Sequence, residues 1–217
     1  IEGIAESTAS LLKLFSGRWS DRAGRRKPFV LTGYGFSAVA KPVLGLAGSW
    51  GQVLAARFLD RVGKGIRNAP RDALIAETTP ISLRGRAYGL NRALDTTGAV
   101  FGPLLGFFYL QSHPGAYRDL YQLAFIPALI GVLILAALVR EPRIEPGAPS
   151  NASGKHVPLS RWRDLSPSYR SYLWAVLIFS LGNSSDAFLL LRAKDSGMPD
   201  FQLLLLYSLF NVVEALF

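Results

Sequence analysis

Cysteine is absent from the 217-residue chain, which removes disulfides and thiol metal sites and leaves the compartment open. Histidine is scarce: His113 and His156 stand apart, with no metal-ligand partner at useful spacing, and both read as surface residues. There is no Gly-rich loop ending in Lys-Ser or Lys-Thr, so this stretch carries no sign of ATP-driven work. The first residues, Ile1-Glu2-Gly3, have neither the basic stretch nor the cleavage site of a secretory leader. Phe217 closes an apolar run with no cap, charge or polar tail after it, so the chain is expected to be a fragment that starts inside one helix and stops inside another. Nothing points to soluble catalysis, and neither a cofactor nor a metal is expected.

The most informative scarcity is of charge within blocks. From Leu120 to Val139, twenty consecutive residues carry none, and Gln122 is the only strongly polar side chain among them. About 20 residues at ~1.5 Å each cover a hydrocarbon core of ~30 Å, so this block spans a membrane by length alone. Similar blocks run over 29–56 (broken by Lys41), 171–185 and 201–213. The expectation is an all-α membrane protein with seven helical segments, at about 1–16, 28–48, 50–78, 84–111, 119–139, 166–191 and from 200 onward. Pro28 and the Ser166-Pro167 pair fit first-turn and cap positions. His113-Pro114-Gly115 and Arg140-Glu141-Pro142 fit stops.

Charge returns on alternate connections. The stretch 17–27 holds Arg18, Arg22, Arg25, Arg26 and Lys27, the stretch 47–52 has no charge, and the next connection carries Arg84 and Arg86. Basic residues on every second loop place those loops in the cytoplasm. The formal net charge of +9 is then topology plus attraction to lipid headgroups. Nucleic-acid binding needs the cations on one exposed face with soluble flanks, and blocks of membrane length argue against it. The stretch 140–169, with Pro142, Pro146, Pro149, Pro158 and Pro167, cannot bury enough apolar surface to fold and reads as a loose cytoplasmic connector. The sequon Asn151-Ala152-Ser153 within it reads as chance.

Residues Gly17, Asp21, Arg22, Gly24, Arg25 and Arg26 fill every defined position of Gly-x-x-x-Asp-Arg/Lys-x-Gly-Arg-Arg/Lys. This resembles the loop signature between helices two and three of the major facilitator superfamily. The resemblance implies a twelve-helix carrier of two halves, with this chain running from part of helix two to part of helix eight. Residues 1–139 would then belong to the N-terminal half, 140–169 to the connector and 170–217 to the start of the C-terminal half. In that family the loop latches the halves on the cytoplasmic side. Physically, Asp21 can accept hydrogen bonds from a helix N-terminus and the arginines can pair with carboxylates or lipid phosphates.

Gly89, Gly98, Gly102, Pro103 and Gly106 are similar to the fifth-helix signature of the family's antiporters, which favours efflux. Gly98, Gly102 and Gly106 lie four apart, where a neighbouring backbone can approach, and Pro103 should kink the helix. The same spacing also fits ordinary small-residue packing.

Within 50–78, Arg57, Asp60, Arg61, Lys64, Arg67, Arg71 and Asp72 recur at steps of three and four, making one polar stripe. Counted from Trp50, Arg61 lies about 16 Å deep at ~1.5 Å per residue. A charge there costs at least ~2.5 kcal/mol, so the stripe must line a watery cavity or pair within the bundle. Arg61 with Gly65 and Ala69 resembles the family's fourth-helix arginine motif, which is associated with proton transfer; Lys64 stands where glutamine is usual. Five cations against two acids hint at an anionic solute. Glu2, Glu6, Asp95 and Asp186 are candidate carboxylates for proton coupling, with a static buried ion pair as the competing reading for each, and Lys41 before Pro42 is open in the same way. The expected activity is proton-coupled transport of a small solute across a bacterial inner membrane, efflux or antiport favoured. A uniporter, an importer, or a non-transporting receptor of the same fold are the alternatives.

Overall fold

The computed structural model describes residues 2–141, 165–182 and 186–216, with side chains over 8–141, 165–180 and 188–215. His156, the sequon at 151–153 and most of the 140–169 connector lie outside the described residues. For Glu2, Glu6 and Asp186 the helix position is described and the side chain is not.

The elements are α1 (Glu2–Ala23), α2 (Lys27–Leu46), α3 (Trp50–Thr78), a 3-10 turn (Ile81–Leu83), α4 (Arg84–Ser112), α5 (Tyr117–Leu138), α6 (Pro167–Gly182), α7 (Asp186–Asp195) and α8 (Asp200–Leu216). No strand occurs among the described residues. Two expectations need correction. The first helix does not stop near residue 16 but runs to Ala23, so most of the signature is helical and only 24–26 form the turn. Gly24 makes that turn, with φ of 61° and its N–H donating to the Asp21 carbonyl at 3.3 Å. The segment expected over 166–191 is two helices, α6 and α7.

Other local signals act as their chemistry requires. Pro28 sits in the first turn of α2. Ser166 caps α6, its Oγ accepting from the Tyr169 N–H at 3.3 Å, with Pro167 as first helical residue. Pro42, Pro70, Pro103 and Pro127 lie within helices that continue past them.

Helix α3 packs between α1 and α2, α2 also packs on α5, and α8 packs along α4. Backbone contact at glycines sets these crossings. A Cβ on Gly63 would lie 2.6 Å from the Gly33 carbonyl oxygen, and one on Gly33 would lie 2.5 Å from the Arg67 Cβ. One on Gly65 would lie 2.8 Å from the Ala9 carbonyl oxygen. Lipid tails give helices no hydrophobic reason to associate, so such close approach supplies the dispersion contact that holds them together.

Among the described residues, three helices are long and apolar enough to cross a membrane: Lys27–Leu46, the continuous Ile81–Ser112 and Tyr117–Leu138. The last has no buried residue, and Ile126, Ile130, Leu133, Ile134 and Leu138 are exposed. That inverts the pattern of a helix in water and suits one solvated by hydrocarbon. Helix α3, at 29 residues, is long enough as well but carries the charged stripe.

Candidate functional site

At the basic end of the bundle, Arg26 joins three helices. Its Nη1 donates to the Asp21 carboxylate and, at 2.8 Å, to Ser20 Oγ, both on α1. Its Nε and Nη2 donate to Glu77 Oε1 on α3, at 3.2 and 2.9 Å. The backbone N–H groups of Arg26 and Lys27 donate to Glu141 Oε1, the latter at 3.1 Å, so the carboxylate just beyond α5 caps the start of α2. Lys27 Nζ reaches back to the Ala136 carbonyl oxygen at 2.6 Å. Burial works against charge on Arg26, but the hydrogen bonds to Glu77 and Asp21 outweigh it and raise its pKa above the ordinary arginine value. Asp21 here accepts from a guanidinium, as the expected pairing of the arginines with carboxylates has it, and Glu141 takes the N-terminus of α2. Arg22 and Arg25 are exposed. Gly17 faces Ala69 of α3, where a Cβ would find ordinary contact at 3.4 Å.

The stripe on α3 divides along its length. Arg57 is exposed, while Asp60, Arg61, Lys64, Arg67, Arg71 and Asp72 are half-buried. Arg57, Arg61 and Lys64 each engage another group. Arg67 is fixed against α2: Nη1 donates to Ser37 Oγ at 3.0 Å, and the guanidinium carbon lies 4.2 Å from the Tyr34 ring centroid. Lys41 Nζ donates to the Ser37 carbonyl oxygen at 3.2 Å, so one buried serine receives both cations. Arg71 Nε and Nη2 donate to the neighbouring Asp72 at 3.1 and 3.0 Å. The Asp72 carbonyl oxygen accepts from Tyr88 at 2.8 Å, which brings α4 to α3. Asp95 is exposed on α4, and its charge reaches Arg67.

Of the α4 glycines, Gly106 packs closely, with Leu204 of α8 at 3.1 Å from a Cβ built there. At Gly89, Gly98 and Gly102 such a Cβ would meet nothing within 4 Å, so the face expected to admit a neighbouring backbone is open there. The seam between α4 and α8 also holds Ser208, donating to the Val100 carbonyl oxygen at 3.1 Å, and the Phe107–Phe201 ring pair at 5.8 Å. Tyr117 donates to Asp200 near one end, and Arg92 pairs with Glu214 at 3.2 Å near the other. Arg92, Glu214, Thr96, Thr97 and Phe101 line a cleft of about 550 Å³ along this seam.

Sequence reasoning missed Glu77, Glu141, Tyr34, Ser37 and Glu214. For Tyr34 and Ser37 a signal existed: with Lys41 they stand at i, i+3 and i+7, one face of α2. Glu77 and Glu141 are 51 and 115 positions from Arg26 and carry no local mark of their role.

Among the described residues, an all-helical arrangement with exposed apolar faces and a charged helix held between neighbours is that of a multi-pass membrane protein. The Major Facilitator Superfamily model matches residues 4–217. Over its whole length the chain is 34% identical to an uncharacterized MFS-type transporter of Methanocaldococcus jannaschii, covering 54% of that protein. It is 30% identical over 59% of its length to myo-inositol transporter 3A of Cryptococcus neoformans, covering 21% of it, and 28% identical over 82% to multidrug resistance protein 1 of Bacillus subtilis, covering 44%. The chain belongs to the Major Facilitator Superfamily, whose members are transporters. It spans about half the length, or less, of these relatives.

Proposed function

We propose that the protein carrying this chain is a secondary carrier that moves a small, anionic solute across the cytoplasmic membrane, coupled to protons, with export as the favoured direction. The observation that carries this reading is the α3 stripe: charged residues half-buried among packed helices in a member of a transporter family. Residues 1–139 form most of the N-terminal half in this reading, 140–169 the connector and 170–217 the start of the C-terminal half. Arg57, Arg61 and Arg67 act as cavity cations, with Lys64, Arg71, Asp60 and Asp72 setting the local charge. Glu6 or Asp186 takes up the proton, with Glu2 and Asp95 as neighbouring acids. The signature around Asp21 and Arg26 gates the basic end. The multidrug resistance relative and the glycine series of α4 support export; the named inositol transporter shows that a neutral solute is also carried by a relative.

The test is flux in proteoliposomes holding the full-length protein under an imposed pH gradient, with a panel of anionic and neutral solutes. Solute movement that follows the gradient supports the reading. Flux indifferent to the gradient assigns a uniporter or uncoupled importer, and binding without flux assigns a receptor. Arg61→Ala is expected to lower gradient-driven flux about tenfold or more, since it removes a mid-membrane charge that functional sites retain. Unchanged flux and pH dependence would remove Arg61 from the mechanism.

A further inference from the structure

Arg67 is positioned in a way its packing alone does not use. The Gly33–Gly63 approach of α2 and α3 brings the Arg67 Cβ against α2 and fixes where its side chain emerges. The guanidinium then lies on Tyr34, and Nη1 is taken by Ser37. Tyr34 also engages Arg71. The edge formed by Nε and Nη2 makes no hydrogen bond among the described residues, and Nε is buried. A buried donor without an acceptor is costly, and more so on a charged group. Lys41 adds a second cation close by, its ammonium donating to the carbonyl oxygen of the same Ser37. Among the described residues no carboxylate lies at ion-pair distance from Arg67 or Lys41; Asp60 acts on both only through its field, and Asp95 on Arg67. Lys64 and Arg71 add further positive charge nearby.

The geometry points to the Nε–Nη2 edge of Arg67, backed by Tyr34, as the subsite that binds the oxyanion group of the transported solute. The edge is a planar fork of two parallel N–H groups, which matches two oxygens of a carboxylate or phosphate; an ammonium cannot reproduce it. Ser37 and Tyr34 hold the fork in one orientation before the solute arrives, so little rotamer entropy is lost on binding. The inference rests on the carrier reading above and adds the group recognised and the residues that recognise it.

The experiment uses the full-length protein in detergent and in nanodiscs, with succinate and inorganic phosphate as probes and succinamide and chloride as controls. Succinate or phosphate is expected to raise the melting temperature saturably, where succinamide and equal ionic strength of chloride do not. Arg67→Lys keeps the charge, loses the fork, and is expected to weaken half-saturation about tenfold or more. Should that variant fail to fold, wild-type protein is treated with phenylglyoxal and Arg67 modification is read by mass spectrometry. Succinate or phosphate should slow that modification. Equal modification with and without the probes, or an Arg67→Lys variant that binds as wild type does, overturns the inference. Protection by phosphatidylglycerol nanodiscs alone overturns it in favour of a lipid phosphate. Gradient-driven flux of a neutral or cationic solute without oxyanion binding sinks this inference and leaves the carrier reading standing; oxyanion protection without flux does the reverse.

Discussion

At the scale of single residues, Arg26 shows how little of a guanidinium's role is fixed by its position in a motif. Its side chain is 11% exposed, against 18% for Glu77 and 56% for Asp21, so its two acidic partners are unequal. A charge-assisted hydrogen bond shielded from water is worth about 1.5–3 kcal/mol, whereas a solvent-facing pair contributes about 0–1 kcal/mol. Glu77→Gln is therefore expected to cost about 1.5–3 kcal/mol, and Asp21→Asn less than about 1 kcal/mol. Thermal denaturation of the two variants side by side checks the order; an Asp21 variant as damaging as the Glu77 one would show that the motif acid carries the fastening. The pKa of Arg26 is raised, so its contribution is fully present below the unfolded value and is lost only as pH climbs past the folded one, beyond any working range. The cation of this cluster does not switch.

At the scale of elements, the glycines divide by what surrounds them. A Cβ added to Gly33 or Gly63 would meet backbone and Cβ atoms at 2.5–2.6 Å, contacts that only larger separation of α2 and α3 could relieve. Gly63→Ala is expected to destabilise by about 1–3 kcal/mol through overpacking. Gly98→Ala places its methyl in open space, and the higher helix propensity of alanine makes it neutral or stabilising by up to about 1 kcal/mol. Melting temperatures of the pair decide it, and equal losses would contradict the crossing described. Helix was legible as the element type from α2 to α5, because uncharged blocks of membrane length and a stripe at steps of three and four both fit a helical period. The end of α1 was not: Gly17 and the basic residues after it look like a loop, and the helix continues because α3 packs against it and Gly24, not Gly17, takes the left-handed conformation. For the candidate site, α3 announced its charges by spacing. The partners on α2 were legible only as a polar face, Tyr34, Ser37 and Lys41 at i, i+3 and i+7, which acquires meaning when Arg67 is brought against it.

At the scale of the molecule, the absence of cysteine makes the orientation directly measurable. Single cysteines at Arg25 and at Gly48 should be labelled by a membrane-impermeant maleimide from opposite sides, Arg25→Cys from the cytoplasm and Gly48→Cys from outside. Labelling of both from one side would overturn the alternation of loops on which the orientation rests. The cap on α2 has a larger meaning at this scale. Glu141 holds the first turn of α2, and it is also where the chain departs from α5 toward α6. The first turn of α2 is thereby fastened to the end of α5 from both directions, by Glu141 accepting from its backbone and by Lys27 donating to the Ala136 carbonyl oxygen. A displacement of the end of α5 would therefore carry with it the turn at which α1, α2 and α3 are already joined.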